Sequence, residues 1–350
     1  MTSPRRRDIM RAAWALPTVM LVGCSDSPSS TGAPTIPPQP SLTSSPEAPA
    51  RLLDGTSFVV DRARREVAGS SPDGLLVWKI GMPQPVREMR AEDGGVHGVG
   101  LDTAVLVLTD DSTTIVSPED GAEIARHEVA EASAGEQSAP TKVAVDESGT
   151  VAVVAGGRDH ELRVWDLDSG KSRQVAEDLG LVVGVALADA DTALLLTHEG
   201  EGAGRLRRVS LRDGDQHGST ETADPRALAY HPGRRLVAVA GVDSPGQHSI
   251  RFVDAPGGDE VGRVADLATS PRWMAFSPDG SRLAVSDIET VAVVEVEPLT
   301  STALPGGSDR RLGVSWLDDE TLVVGGDEAF EVWDVEVGEV IGRLEAPTGD

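Results

Sequence analysis

Polar and apolar residues alternate in short segments along most of the chain after residue 50. In these segments two apolar residues flank a small one and a turn former follows, as in Val143-Ala144-Val145-Asp146 and Met274-Ala275-Phe276-Ser277. Alternation with a period of two residues is typical of β-strands. Turn sequences such as Ser277-Pro278-Asp279-Gly280 come next and lead into a second apolar run. The pattern therefore predicts short strands joined by tight turns.

The alternating segment recurs seven times, and each copy is predicted to form the innermost strand of one repeat. The copies are Phe58–Asp61, Val99–Asp102, Val143–Asp146, Val185–Leu187, Leu228–His231, Met274–Ser277 and Val314–Trp316. A pair of β-formers closes another strand further along each repeat. These pairs are marked by Trp78, Val116, Trp165, Ser210, Val253, Val294 and Trp333, which are 38 to 49 residues apart. A repeat of about 40–45 residues with four strands is typical of a β-propeller blade.

The repeats predict an all-β fold, a seven-bladed β-propeller with four-stranded antiparallel blades over residues 51–350. An eight-bladed ring is the alternative, in which Arg51 to Phe58 begins a further blade, although the length of the chain argues against it. A propeller has to close its ring, often through a terminal strand. Arg51-Leu52-Leu53 could pair beside Val340–Leu344 for this purpose.

Two segments carry a resemblance to a known family. Val164-Trp165-Asp166-Leu167-Asp168-Ser169-Gly170-Lys171 and Val332-Trp333-Asp334-Val335-Glu336-Val337-Gly338-Glu339 resemble the third strand and following turn of WD repeats. The segment from Phe276 to Val285 resembles the inner hairpin of the same family. The Gly-His dipeptide that usually opens such repeats is absent, and only two blades keep Trp-Asp. Secreted bacterial propellers of the YVTN and quinoprotein-like groups are similar in the same looser way.

Charge and cysteine content exclude several classes of function. The chain has 57 acidic against 31 basic residues, a formal charge of -26, so it should repel nucleic-acid phosphates. A single cysteine excludes an internal disulfide and a thiolate metal cage.

The first fifty residues predict export and anchoring. A basic stretch precedes an apolar run from Ala12 to Gly23, and Leu21-Val22-Gly23-Cys24 resembles a bacterial lipobox. We therefore predict a lipoprotein signal peptide at 1–23, a lipidated Cys24, and a disordered Ser/Pro/Thr-rich tether over 24–50. Arg6-Arg7 also resembles a twin-arginine export signal, and an ordinary basic region of the general secretion route is the alternative.

Histidines in predicted loops suggest a metal site as an alternative function. His97, His160 and His198, with Glu199 beside the last, map to one face of successive blades. Imidazole and carboxylate groups suit zinc, and the layout is loosely similar to secreted zinc-carrying propellers. The chain lacks a His-rich tract and the HxH or HExxH spacings, so the ordinary polarity of loops explains the pattern better than a metal site does. His231, in a turn on the opposite face, is predicted to be structural.

Arginines before innermost strands suggest a binding site for an anion. Arg226, Arg272 and Arg311 precede three innermost strands and could line the mouth of the channel with positive charge. Neutralisation of nearby acids is the alternative. Acid pairs such as Asp318-Asp319 fall in turns where solvated acids are expected. The glycine-rich run Gly200–Gly204 is interpreted as a loop.

The expected function is that of an exported, membrane-anchored and non-catalytic scaffold. It would bind an unidentified protein or small ligand on one face, contact the membrane only through its lipid, need no cofactor and remain a monomer. The alternatives are a zinc-binding or zinc-delivering lipoprotein and a propeller enzyme such as a lactonase or quinoprotein dehydrogenase. No nucleophile elbow, phosphate-binding glycine loop or Cys-His pair supports the enzyme.

Overall fold

The computed structural model describes residues 58–345, except for 72–73, 91–104, 109–111, 118–121, 129–141, 147–148, 157–159, 245, 256–257, 268–269, 306–310 and 327–328. The described residues form 27 β-strands in seven sheets. They contain no helix long and apolar enough to cross a membrane.

All seven sheets are antiparallel, and their strands pair in chain order. Sheet 1 contains β1 (Phe58–Asp61), β2 (Glu66–Ser71), β3 (Gly74–Lys79) and β4 (Pro85–Arg90); sheet 2 contains β5 (Val105–Leu108), β6 (Ser112–Val116) and β7 (Glu123–Glu128); sheet 3 contains β8 (Lys142–Val145), β9 (Val151–Gly156), β10 (Glu161–Asp166) and β11 (Lys171–Ala176). Sheet 4 contains β12 (Leu181–Asp189), β13 (Thr192–Gly200), β14 (Ala203–Ser210) and β15 (Gln216–Ala223); sheet 5 contains β16 (Ala227–His231), β17 (Leu236–Ser244), β18 (Gln247–Asp254) and β19 (Glu260–Leu267). Sheet 6 contains β20 (Trp273–Phe276), β21 (Arg282–Ser286), β22 (Val291–Glu295) and β23 (Thr300–Ala303); sheet 7 contains β24 (Arg311–Trp316), β25 (Thr321–Gly326), β26 (Ala329–Asp334) and β27 (Glu339–Glu345).

The first strands of the sheets line up around an axis. Strands β8, β12, β16, β20 and β24 are successive neighbours, and β24 in turn neighbours β1. This is the arrangement of a β-propeller, in which the first strand of each blade is innermost. The predicted all-β class, the four-stranded antiparallel blades and six of the innermost strands are therefore confirmed.

The predicted number of blades requires a correction. Six sheets have four strands, whereas sheet 2 has three in the described part of the chain, so the structure has six complete blades where the repeats predict seven. The difference arises because the innermost strand predicted at Val99–Asp102 lies outside the described residues. Val116, the residue that marks this repeat, lies in β6 and pairs with Val105 and Glu123 of the flanking strands.

Small and large side chains alternate between neighbouring innermost strands. Ala229 of β16 belongs to the core that also holds Phe276 of β20, and Ala275 of β20 to the core that holds Trp316 of β24. The Trp316 indole N–H also donates to the carbonyl oxygen of Ala275 at 2.9 Å. At these two junctions the small middle residue thus leaves room for an aromatic residue of the following blade, which keeps the interior close-packed.

In sheets 3 and 4, the turn between the third and fourth strands packs against the preceding sheet. A β-carbon on Gly170 would lie 2.7 Å from that of Ala125 in β7, and one on Gly214 would lie 2.2 Å from the Val175 carbonyl oxygen in sheet 3. Both glycines have positive φ, at 66° and 81°. Only glycine combines this backbone conformation with such a close approach.

Turns between the first and second strands bond to one another around the lower face, the side on which those turns lie. The His231 ring contacts the Pro278 carbonyl oxygen at 3.0 Å, and the Asp279 N–H donates to the Asp319 carboxylate at 2.9 Å. Arg65 of sheet 1 pairs with Asp318 of sheet 7 at 3.4 Å. The predicted structural role of His231 is therefore confirmed.

Sheets 1 and 7 close the ring through side chains. Phe58 and Phe330 pack with ring centroids 5.0 Å apart, and Trp78 meets Phe330 edge-on at 5.1 Å. The Trp78 indole N–H donates to the Glu345 carbonyl oxygen at 2.9 Å. The closing strand predicted at Arg51–Leu53 lies outside the described residues.

Candidate ligand-binding face

The upper face is the side of the ring where the chain enters each innermost strand and where the second strand turns into the third. Two equivalent backbone hydrogen bonds fix this geometry in neighbouring sheets. The Arg226 N–H donates to the Ala240 carbonyl oxygen, and the Arg272 N–H to that of Ser286, at 2.9 and 2.8 Å. The same side therefore carries His160, His198 and the three predicted arginines.

Two raised hairpins break the symmetry of this face. They are the tips of β13–β14, residues 198–205, and of β17–β18, residues 241–248. Strands β13 and β17 have nine residues each, against five or six in the second strands of sheets 1, 3, 6 and 7. Each of these hairpins is three to five residues longer than the others between equivalent lower pairs, and the additional residues are shared between its two strands. At about 3.3 Å per residue they raise the tips by roughly 5–8 Å.

The first raised hairpin corrects the interpretation of Gly200–Gly204 as a loop. Gly200 pairs with Ala203, and only Glu201 and Gly202 form the turn, both with positive φ. Such two-residue turns suit the twist of a hairpin. Gly204 lies within β14, where a β-carbon would come 2.3 Å from the ring of Pro225, in the link between β15 and β16. The strand can continue because glycine leaves space for that proline.

Ion pairs brace the flanks of the raised hairpins. The Glu199 carboxylate accepts hydrogen bonds from Arg205 at 2.9 Å and Arg207 at 2.5 Å, and these bonds lower the pKa of Glu199. On the neighbouring hairpin, Arg263 pairs with Asp243 at 2.9 Å. The Glu199 pairs join the two strands of the first hairpin, and the Arg263 pair joins the second hairpin to its outer strand, β19.

A row of polar side chains crosses the upper face from sheet 3 to sheet 5. The His160 Nδ1 lies 3.1 Å from the Gly180 carbonyl oxygen at the start of β12. The next residue after Gly180, Leu181, pairs with His198. The His198 Nδ1 accepts the Gly200 N–H, and its Nε2 faces the Asp224 carboxylate at 3.4 Å. Arg226 binds the same carboxylate at 2.5 Å.

The predicted zinc ligands are only partly brought together. His160 lies just before β10 and His198 in β13 of the neighbouring sheet, but two arginines already bind Glu199, and a backbone N–H occupies the Nδ1 of His198. Among the described residues, no group of three or more His, Cys, Asp or Glu side chains could hold a metal ion. His97 lies outside the described residues, so the predicted zinc site stays a prediction.

The three predicted anion-binding arginines have different surroundings. Arg226 and Arg272 are exposed at equivalent positions, and within the described residues the Arg272 guanidinium has no hydrogen-bond or ion-pair partner. Arg311 is only 1% exposed and pairs with Glu331 at 2.7 Å. Its predicted place at an open channel mouth is therefore wrong, because a buried carboxylate draws it into the core.

A small cavity of about 110 Å³ lies between the two sheets that carry the raised hairpins. Leu194 and Leu206 of sheet 4 face Val237 and Val253 of sheet 5 across it, and Thr220 is one of the polar lining residues. It has room for several water-sized groups only.

Lys142 is a candidate site residue that sequence reasoning missed. It is the first residue of β8 and is half-buried, and the burial of its amine lowers its pKa. One signal was available in the sequence, since the chain has three lysines against 28 arginines and this one directly precedes a predicted innermost strand.

The fold and the built-up upper face define a β-propeller with one asymmetric surface. The chain matches no model of a known protein family, and a search of curated proteins finds no significant match. The predicted lipidation site Cys24 lies outside the described residues.

Proposed function

We propose that this chain is an exported, lipid-anchored β-propeller that binds a protein partner or ligand on its upper face without catalysis. The observation that carries the proposal is the pair of raised hairpins on adjacent sheets. Equal blades would suffice to build a stable ring, so hairpins braced roughly 5–8 Å above the others suit a docking surface. The polar row from His160 to Arg226 lies on the same face and supplies donors and acceptors for recognition.

The proposal of export and anchoring rests on the first fifty residues. A basic stretch, an apolar run and a lipobox-like sequence ending in Cys24 occur in the required order. Residues 25–50 could separate the propeller from the membrane by up to roughly 80 Å if fully extended.

We further propose that Val99–Leu101 completes sheet 2, which makes a seven-bladed ring of degenerate WD-repeat type. Strands β5, β6 and β7 pair in the order of second, third and fourth strands, with Val116 in the central one. The alternating segment at 99–101 precedes them as it does in the other six repeats.

Zinc binding is kept as a second candidate because His160 and His198 lie on the same face of adjacent sheets, both next to the start of β12. Metal analysis of protein purified without chelator tests it, and the absence of zinc together with no stabilisation by added zinc would refute it. The enzyme alternative stays a prediction, which a substrate screen and the absorbance of a bound quinone address.

Replacing Cys24 by alanine tests the anchoring. We expect the wild-type chain in the membrane fraction, with an N-terminal Cys24 that carries the mass of a diacylglyceryl group. The alanine variant should keep its leader and lack this mass. Equal masses on both proteins would contradict the lipoprotein proposal.

Site-specific photo-crosslinking in intact cells tests the binding face. A photoreactive residue at Glu201, exposed at the tip of the first raised hairpin, should give a discrete adduct. The matched control is Asp168, exposed in a turn on the lower face, where no adduct is expected. Equal adducts from both positions, or an adduct only from Asp168, would contradict the assignment.

A further inference from the structure

Lys142 occupies an unusual position for a cation in this protein. The other two lysines, Lys79 and Lys171, are exposed to solvent. Lys142 instead begins β8, the innermost strand of sheet 3, so its side chain starts at the edge of the central channel.

The register of sheet 3 shows what surrounds this side chain. Lys142 pairs with Ala155, and Ala155 pairs with Leu162, so the three side chains form one row on one face of the sheet. Ala155 and Leu162 are fully buried in the core between sheets 3 and 4. Val182 and Val185 of β12 belong to the same core. The lysine stem therefore lies among apolar side chains at the channel end of this junction.

No acid in the described part of the chain compensates the Lys142 amine. Glu161 and Arg163 flank Leu162 along β10, so they project from the other face of the sheet, where they pair with each other at 2.8 Å. Arg311 makes an instructive contrast, since it also begins an innermost strand but has the buried Glu331 carboxylate 2.7 Å away. Burial without a counter-charge favours the neutral amine, consistent with the lowered pKa of Lys142.

We propose that Lys142 is a covalent binding site for a small aldehyde or ketone that enters the channel. The amine lone pair adds to the carbonyl carbon to form a carbinolamine. Loss of one water, which takes the carbonyl oxygen and both amine protons, leaves a carbon–nitrogen double bond to Nζ. A desolvated lysine in an apolar setting is well suited to this chemistry. A site for an anion would need several converging donors, and the row around Lys142 offers only apolar side chains.

This inference rests on the proposed function in one respect, namely that a ligand binds at the channel. Its test uses the protein alone, without any partner. The full-length protein is incubated at pH 7 with propanal and sodium cyanoborohydride, which reduces the imine to a stable secondary amine. Peptide mass spectrometry then gives the rate at each lysine. We expect Lys142 to be alkylated at least about threefold faster than Lys79 and Lys171, the exposed internal controls.

Lys142→Arg keeps a long basic side chain and removes the nucleophilic amine, so the fast-forming adduct should disappear while the other two rates stay unchanged. If this variant fails to fold, the alkylation rates of the three lysines in the wild-type chain test the proposal by themselves. Alkylation of Lys142 no faster than of the exposed lysines would overturn the proposal. Slow alkylation that inorganic phosphate slows further would overturn it in favour of an anion site.

Discussion

An ion pair contributes differently to stability in the buried core of the ring and on its exposed surface. Arg311 and Glu331 are 1% and 7% exposed, and the Glu331 carboxylate also accepts the indole N–H of Trp333 at 3.2 Å. On the surface, Arg234 pairs with Glu297, whose side chain is 84% exposed. A buried ion pair is costly to break because the remaining charge stays desolvated, whereas an exposed pair contributes little.

Replacing Glu331 by glutamine should lower the free energy of unfolding by about 3–5 kcal/mol. Glutamine keeps an acceptor for Trp333 but removes the carboxylate that faces Arg311. Urea unfolding measures the loss, and Glu297→Gln is the surface control, for which no measurable change is expected. Equal stability of both variants would contradict the role of the buried pair.

Asp279 should stabilise the fold at neutral pH, and this stabilisation should be lost in acid. Burial alone would raise its pKa, but hydrogen bonds from Ser281 and Ser277 outweigh burial and lower the pKa to about 2. The pKa of aspartate in an unfolded chain is about 3.9. The charged carboxylate therefore stabilises the fold above about pH 4, and this stabilisation is lost as the pH falls through about 2. The difference in unfolding free energy between wild type and Asp279→Asn should therefore be larger at pH 7 than at pH 2. A constant difference would refute this, and Asp168→Asn serves as the exposed control.

At the scale of elements, turns set the spacing between blades. Gly214 and Gly81 both connect a third to a fourth strand with positive φ, at 81° and 93°. A β-carbon on Gly214 would meet the Val175 carbonyl oxygen at 2.2 Å, whereas one on Gly81 has nothing within 4 Å. A comparison of substitutions at the two positions therefore separates the energetic cost of the backbone conformation from the cost of a clash between blades.

Both Gly81→Ala and Gly214→Ala should lose about 1–2 kcal/mol for the left-handed backbone. Gly214→Ala should lose about 1–3 kcal/mol more, because sheets 3 and 4 would have to move apart. Thermal or urea unfolding of the two variants gives the comparison. Equal losses would mean that this turn does not set the spacing between blades.

The innermost strands could be predicted from sequence because their alternation is local to each segment. The pairing of Arg311 could not, since its partner Glu331 lies 20 residues away and meets it only through the register of β24, β25 and β26. Gly200–Gly204 joins two strands as predicted, but the continuation of the strands through Gly200 and Gly204 could not be predicted for a similar reason. Gly204 is required by Pro225 in the link to the next sheet, which no local pattern reveals.

At the scale of the whole molecule, stability depends on closure between the first and last sheets. Phe330 packs against Phe58 and Trp78 at this junction and is 2% exposed. Phe252 packs against Phe276 at the junction of sheets 5 and 6 and is 1% exposed. In a closed ring the two junctions should contribute similarly to the free energy of unfolding, since both bury a phenylalanine between blades.

Phe330→Ala and Phe252→Ala should each lower the free energy of unfolding by about 3–5 kcal/mol. Urea unfolding followed by tryptophan fluorescence measures both. A loss at Phe252 without a comparable loss at Phe330 would mean that the ring is open between sheets 1 and 7.

The central claim is that the raised hairpins of sheets 4 and 5 form the binding face of an anchored propeller. Hydrogen exchange, measured on the protein in its native membranes and on the purified protein, tests this most directly. Slower exchange at residues 198–205 and 241–248 in membranes, with unchanged exchange in the lower-face turns around His231 and Asp279, is the predicted result. Identical exchange in both samples, or protection confined to the lower face, would contradict the claim.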